Sequence, residues 1–227
     1  MQFTTHRNTL LIAGTNTGVG KTVLTLALAA YVQKYYPAQR LGILKPIQSG
    51  TGDRELYAQL FDTGQSLEEI TPLYFQAPLA PPLAAEREGK AIDLKLAWQQ
   101  LQTLQQQREW VLVESAGGLG SPMTHELTVA DLARDWRLPT VLVVPVQLGA
   151  ISQAVANVAL ARQSGVQLRG LVLNGGSEEE VADFAPIDLM ESLTHTPVLG
   201  CLPRLGDPTD LEKLAAVASS LDLERLF

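Results

Sequence analysis

Two lysines, two carboxylates and several glycine-rich turns carry most of the chemistry legible in this chain. The first turn, Gly14-Thr15-Asn16-Thr17-Gly18-Val19-Gly20-Lys21-Thr22, follows an apolar run at 10–13 and opens onto an alanine- and leucine-rich stretch at 21–34. A glycine turn between a strand and a helix folds backbone N–H groups around an anion, and the helix start and a lysine add positive charge. Here Gly18, Val19 and Gly20 supply the amides, Lys21 the ammonium, and Thr22 a hydroxyl for Mg²⁺. Five residues, rather than the usual four, separate Gly14 from Gly20-Lys21-Thr22, a spacing that only some ATPases use. A glycine turn with an incidental Gly-Lys-Thr is the bland alternative, and the strand before and the helix after argue against it. A nucleotide and Mg²⁺ are therefore the expected ligands of this turn.

Further candidates sit where other apolar runs end. Lys45 closes the run at 41–44 and begins Lys45-Pro46-Ile47-Gln48-Ser49-Gly50. In a parallel sheet that strand end opens onto the same crevice as the phosphate turn. A second ammonium there suits phosphoryl transfer, in which negative charge spreads over the moving group's oxygens; a surface lysine is the plain alternative. Glu114 closes the run at 110–113 ahead of Ser115-Ala116-Gly117-Gly118-Leu119-Gly120. An acid so placed holds Mg²⁺ in many P-loop proteins, and the glycines beyond it allow close substrate approach; an exposed strand-end glutamate is the alternative. Asp53, just before a helix-like run at 55–61, either caps that helix or joins the Mg²⁺ site. Asn174 and Gly175 follow the run at 170–173, where the amide either meets an adenine edge or makes an Asn-Gly turn.

The elements that must position these groups follow from periodicity. Apolar runs at 10–13, 41–44, 110–113, 140–144, 170–173 and 198–202 read as strands. Most lack polar alternation, the pattern of parallel strands covered on both faces. Helical spacing marks 21–34, 94–104, 129–136, 151–163 and 178–193. The alternation predicts an α/β chain, with a three-layer, doubly wound, mostly parallel sheet and helices on both faces, in one domain over 1–227. The proline-rich segment 72–89 breaks the rhythm and reads as an inserted loop ending in a short helix at 83–87. The C-terminal stretch 211–227 reads as a helix of mixed charge.

With 227 residues, 46% of them hydrophobic and 18% charged, the chain can bury a packed core. A net charge of −7 argues against nucleic-acid binding, which needs a basic footprint. His6, His125 and His195 are scattered without metal-ligand spacing, and the single Cys201 lies in an apolar stretch as a small buried hydrophobe. The polar stretch 1–9 lacks a signal-like apolar core, and the run at 141–146 is too short to span a bilayer. The expectation is a cytoplasmic protein with no membrane partner.

Taken together, the long phosphate turn, Lys45-Pro46-Ile47-Gln48-Ser49-Gly50 and Glu114-Ser115-Ala116-Gly117-Gly118 resemble the hallmark motifs of the dethiobiotin synthetase family in order and separation. Val143-Val144-Pro145-Val146-Gln147-Leu148-Gly149-Ala150-Ile151 and Leu173-Asn174 are similar to that family too, so the resemblance runs over about 10–205. Gly18, where some relatives carry an acid, and Ser115, where glycine is frequent, depart from it. The resemblance implies a P-loop ligase that takes diaminopelargonate, CO₂ and ATP through a carbamate and a carbamic-phosphoric anhydride to dethiobiotin, ADP and phosphate. It implies that Lys21, Lys45 and Thr17 serve the chemistry and that Thr22, Asp53 and Glu114 organise Mg²⁺. Gly117, Asn174, Gly175, Pro203, Arg204 and Leu205 would meet the nucleotide, and Thr17, Ser49 and Gly118 the diamine or carbamate. Gly149, Ala150 and Ile151 would help bind the substrate carboxylate from a neighbouring subunit, since the family is typically homodimeric.

Two other classes share parts of this pattern. Amide synthases related to this fold carry a second, glutamine-hydrolysing domain with a nucleophilic cysteine, for which this chain has no room. Partitioning and division-site ATPase switches usually show a lysine early in the phosphate turn, where this chain has Thr15 and Asn16.

Overall fold

Runs of hydrophobe without polar alternation become strands covered on both sides, and the computed structural model of the protein, which describes residues 9–37 and 40–227, bears this out. The polar stretch at the start, His6 included, lies outside the described residues except for Thr9. Strand β1 (Thr9–Gly14) leads into helix α1 (Lys21–Tyr35), then β2 (Leu41–Leu44). A short β3 (Ile47–Ser49) and helices α2 (Asp53–Leu60) and α3 (Leu67–Ile70) precede β4 (Leu73–Phe75), α4 (Pro81–Arg87) and α5 (Leu94–Gln107). The second half runs β5 (Trp110–Gly118), α6 (Val129–Asp135), β6 (Thr140–Pro145), α7 (Ala150–Ser164) and β7 (Leu168–Asn174). It ends with α8 (Glu178–Phe184), α9 (Ile187–Thr194), β8 (Val198–Leu202), α10 (Leu211–Ala218) and α11 (Leu223–Leu226).

Six strands form one sheet in the order β2-β5-β1-β6-β7-β8, and every pairing is parallel. The period of two along a strand sorts its side chains between two cores. Leu10, Ile12, Leu112, Val141 and Val143 face α1, α10 and α11, whereas Leu11, Ala13, Val113, Leu142 and Val144 face α5, α6 and α7. Helix α1 is buried around most of its circumference because it is wedged between the sheet and α10. The expected three-layer α/β architecture is therefore present, and strand order reverses on either side of β1.

Four expectations need correction. The segment 72–89 is no bare loop: β4 pairs in parallel with β3, Gln48 opposite Tyr74, as a separate two-stranded sheet. Three-residue strands are too short for any period to reveal. Helix α4 begins at Pro81, ahead of the expected 83, since proline is well tolerated in a first helical turn whose N–H groups have no intrahelical partner. The helix expected over 178–193 is two, because Pro186 cannot continue α8 and instead stands at the cap of α9. The C-terminal helix is likewise split into α10 and α11, with Asp222 donating its N–H to Leu199 at 2.8 Å and capping α11. Among the described residues no helix is long and apolar enough to cross a membrane.

One local device bears on the site. Thr128 and Asp131 cap α6 reciprocally: the Asp131 carboxylate accepts from the Thr128 N–H at 2.9 Å and its hydroxyl at 2.6 Å. The cap fixes the Pro122–Thr128 bridge and so the turn bearing Ser121. Bonds from Thr128, with the nearby Arg134 guanidinium, hold the Asp131 carboxyl below its usual range. A depressed carboxyl stabilises the fold above its unfolded pKa and loses that contribution as pH falls through the folded one. Asp131→Asn is expected to cost about 1 kcal/mol at pH 7. Urea midpoints for wild type and variant should converge as pH drops below about 4.

Candidate active site

Register explains why the charged groups meet. Leu44 pairs with Val113 across β2 and β5, so Lys45 and Glu114, one step on, lie side by side. Parity places Glu114 on the face of Trp110 and Leu112, and Lys45 on that of Leu41 and Ile43, which is the side covered by α1. Glu114 pairs on its other side with Ile12 of β1, two residues before the phosphate turn begins. Both groups are buried, Lys45 at 5% and Glu114 at 0% exposure, so neither is the surface residue of the plain readings. Strand β5 runs on to Gly118, which puts Glu114 within the strand and not at its end.

Glu114 is saturated with donors. Its Oε1 accepts from the Lys45 ammonium at 2.8 Å and the Thr22 hydroxyl at 3.2 Å. Its Oε2 accepts from the Thr25 hydroxyl at 2.8 Å and from the Tyr57 hydroxyl. Asp53 is the first residue of α2, the cap position being Gly52, and its carboxylate takes the Lys45 ammonium and faces the Thr22 hydroxyl at 3.2 Å. The Asp53 carboxylate thus points into the site and does not cap the helix. Burial works against the Lys45 charge, but Glu114 and Asp53 outweigh it and hold its pKa above the ordinary lysine value. For Lys21 the balance reverses: burial exceeds the pull of Glu114 and its pKa is lowered. Burial and Glu114 together push the Tyr57 hydroxyl well up, so it remains a donor.

These groups line a cleft of about 700 Å³ at the carboxyl edge of the sheet. Of the residues singled out from sequence, Thr17, Gly18, Gly20, Lys21, Thr22, Lys45, Ser49, Asp53, Glu114 and Gly117 line it. Ser49 lines the cleft, and its Oγ is buried without a protein hydrogen-bond partner among the described residues. Val19 is buried beneath the turn, and Gly118 packs on the backbone of Gly14 and Thr15. Asn174, Gly175, Pro203, Arg204 and Leu205 lie at or just beyond the ends of β7 and β8 and do not line the cleft. The Asn174 amide donates to the Val19 carbonyl at 3.0 Å, and Gly175 has the positive φ of a turn, 84°. Gly149, Ala150 and Ile151 start α7, also outside the cleft, beside the 86% exposed Leu148. Cys201 is half-buried.

A family model described as an AAA domain matches residues 8–211. The chain is 58% identical over 221 residues to the ATP-dependent dethiobiotin synthetase BioD of Gloeothece citriformis, covering 96% of this chain and 98% of that one. It is 56% identical over 222 residues to the protein of the same name from Crocosphaera subtropica, covering 96% and 99%. The chain belongs to the dethiobiotin synthetase family. Its fold is also that of the cell division ATPase MinD from Pyrococcus furiosus, with a TM-score of 0.60 over 97% of this chain and 99% of that one at 13% identity.

In this member of the dethiobiotin synthetase family, three sets of site residues escape a reading of the sequence. Pro78, Leu79, Ala80 and Pro81 form one wall of the cleft, and the proline cluster that interrupts the strand-helix rhythm was their signal. Ser121 and Pro122 form another part, where the Ser121 hydroxyl accepts from the Gly118 N–H at 2.8 Å. Gln153 and Asn157 on α7 steady the phosphate turn: Gln153 accepts from the Thr15 hydroxyl at 3.1 Å, and Asn157 donates to the Thr15 carbonyl at 3.3 Å. Nothing in the sequence pairs residues so distant.

Thr22, Asp53 and Glu114 themselves offer only oxygen, the ligand chemistry a hard divalent ion selects, with the Lys45 ammonium bridging the two carboxylates. Among the described residues there is no group of three or more His, Cys, Asp or Glu suited to a metal. Two carboxylates and a hydroxyl, completed by nucleotide phosphates and water, fit Mg²⁺, which seldom uses an all-protein cage.

Gly20 has φ 98°, and a Cβ there would collide with the Asn174 amide. Gly20→Ala is expected to weaken nucleotide binding at least about tenfold, roughly 1.4 kcal/mol. Adding Asn174→Ala should recover part of that loss by removing the collision, leaving the backbone strain of about 1–2 kcal/mol. Strictly additive effects in calorimetric titrations would show that the two residues do not meet.

Proposed function

We propose that the chain is an ATP-dependent dethiobiotin synthetase that carboxylates and cyclises 7,8-diaminopelargonate, working as a single domain over residues 1–227. The observation that carries this reading is the convergence of Lys21, Lys45, Thr22, Asp53 and Glu114 in one cleft, in a chain of this family. CO₂ adds to one amine of the diamine to give a carbamate, whose oxygen attacks the γ-phosphorus of ATP and releases ADP. The second amine attacks the carbonyl of the resulting anhydride, phosphate leaves, and the ureido ring closes.

In this scheme the glycine turn with Lys21 cradles the phosphates, and Lys45 stabilises charge on the transferring group. Thr17, Ser49 and Gly118 contact the carbamate or diamine, a role supported for Ser49 by its unpartnered hydroxyl. Thr22, Asp53 and Glu114 hold Mg²⁺, which when bound offsets charge on the phosphate oxygens. Gly117 lies beside the nucleotide. Asn174, Gly175, Pro203, Arg204 and Leu205 receive the adenine, with the second Asn174 N–H and its carbonyl left for that contact. The exposed turn before α7 suits a role between subunits of a homodimer, with Gly149, Ala150 and Ile151 meeting the carboxylate of the partner's substrate. The enzyme works in the cytoplasm on small molecules, without nucleic acid or membrane.

Incubation with diaminopelargonate, bicarbonate, Mg²⁺ and ATP is expected to yield dethiobiotin by mass, with ADP formation dependent on both the diamine and bicarbonate. ADP release indifferent to the diamine would point instead to a nucleotide switch. Lys45→Gln is expected to lower kcat about a hundredfold while changing the ATP dissociation constant far less, because its charge is needed in the transition state. Thermal stability is read alongside, since the substitution leaves two carboxylates without their ammonium.

A further inference from the structure

The two oxygens of Glu114 have different duties. Oε1 receives Lys45 and Thr22 from the cleft side, whereas Oε2 receives Thr25 and Tyr57 from the interior between α1 and α2. Tyr57 is fully buried, does not line the cleft and takes no part in the scheme above. A phenylalanine would fill the same volume, so the hydroxyl is what distinguishes the tyrosine, and its partner is Glu114. Asp53 and Tyr57 are four apart on α2 and share one helix face. The first residue of the helix therefore reaches into the cleft while the ring one turn later passes behind Glu114.

We propose that Tyr57 is a positioning residue for the divalent-ion site, holding Oε2 of Glu114 together with Thr25 so that Oε1 alone is presented beside Thr22 and Asp53, a role that rests on the Mg²⁺–nucleotide reading of this cleft. A carboxylate free to turn alternates between one-oxygen and two-oxygen ligation. Pinned from behind, it offers a single oxygen at a fixed place, as outer donors do for metal ligands generally. The Thr25 hydroxyl has one proton and lies within reach of Glu114, the Lys21 carbonyl at 3.0 Å and the Tyr57 oxygen, whereas the phenol proton is directed at Oε2.

Tyr57→Phe removes the donor and keeps the ring. ADP binding is measured by calorimetry with and without Mg²⁺, in the absence of the diamine. ADP alone should bind the variant as it binds wild type, while the Mg²⁺ concentration that half-maximally tightens ADP binding should rise about tenfold. In turnover the KM for the diamine should hold, with activity recovering as Mg²⁺ is raised. A folded Tyr57→Phe protein with wild-type Mg²⁺ dependence overturns the proposal. If that variant does not fold, Thr25→Val leaves the phenol as the remaining interior donor to Oε2 and should keep wild-type Mg²⁺ dependence; a rise of about tenfold there would shift the role to Thr25 and overturn the proposal. Dethiobiotin formation by wild type is scored separately, so failure of the functional reading leaves the Mg²⁺–ADP measurement standing, and the reverse.

Discussion

A carboxylate with no exposed surface must be given donors or lose its charge, and Glu114 sets this requirement for the whole site. Taking such an ion out of water costs several kcal/mol, which only close and well-directed partners offset. The sheet supplies the first of them through register, since β2 beside β5 brings Lys45 next to Glu114. Helix α1 supplies Thr22 and Thr25 one turn apart, and α2 supplies Tyr57. Asp53 then joins the same lysine, so two carboxylates share the Lys45 ammonium, with the Lys21 ammonium beside them in the cleft. The two carboxylates and the Thr22 hydroxyl are oxygen ligands that suit a divalent ion completed by phosphate and water, without a dedicated cage of protein ligands.

The phosphate turn is constrained from outside as tightly as from within. Gly14 closes β1, Gly20 takes a left-handed conformation at the start of α1, and Asn174 packs against it while bonding to Val19. Gln153 and Asn157 hold Thr15 from α7. A turn fixed in this way keeps its amides aimed before any anion arrives, which lowers the ordering cost of binding. It also ties the phosphate site to α7 and to the end of β7, the regions assigned to substrate carboxylate and adenine under the proposed function.

The same fold serves division-site ATPases, so the architecture does not name the reaction. What this chain carries locally is a lysine at the end of β2 and a proline-rich wall lining the cleft. The wall depends on the small β3–β4 sheet, which carries Gln48 and Ser49 on one strand and leads through Pro78 to α4 on the other. An insertion in an otherwise regular strand-helix alternation is thus where the cleft acquires much of its shape.

By itself the amino-acid order determined the central strands, the phosphate turn and the placing of Lys45 and Glu114 at the carboxyl edge, because period, glycine spacing and strand parity are local properties of a chain. It could not tell whether Asp53 caps its helix or enters the site, since both readings need the same residue before the same helix. Tertiary structure decided that through the approach of β2, α1 and α2. Only packing made Pro78 to Pro81 a wall, joined Gln153 and Asn157 to Thr15, and set Tyr57 behind Glu114. The contacts of Glu114 with Tyr57 and of Thr15 with Gln153 and Asn157 span 57, 138 and 142 positions, and their partners are chosen by burial and register that no short stretch of sequence contains.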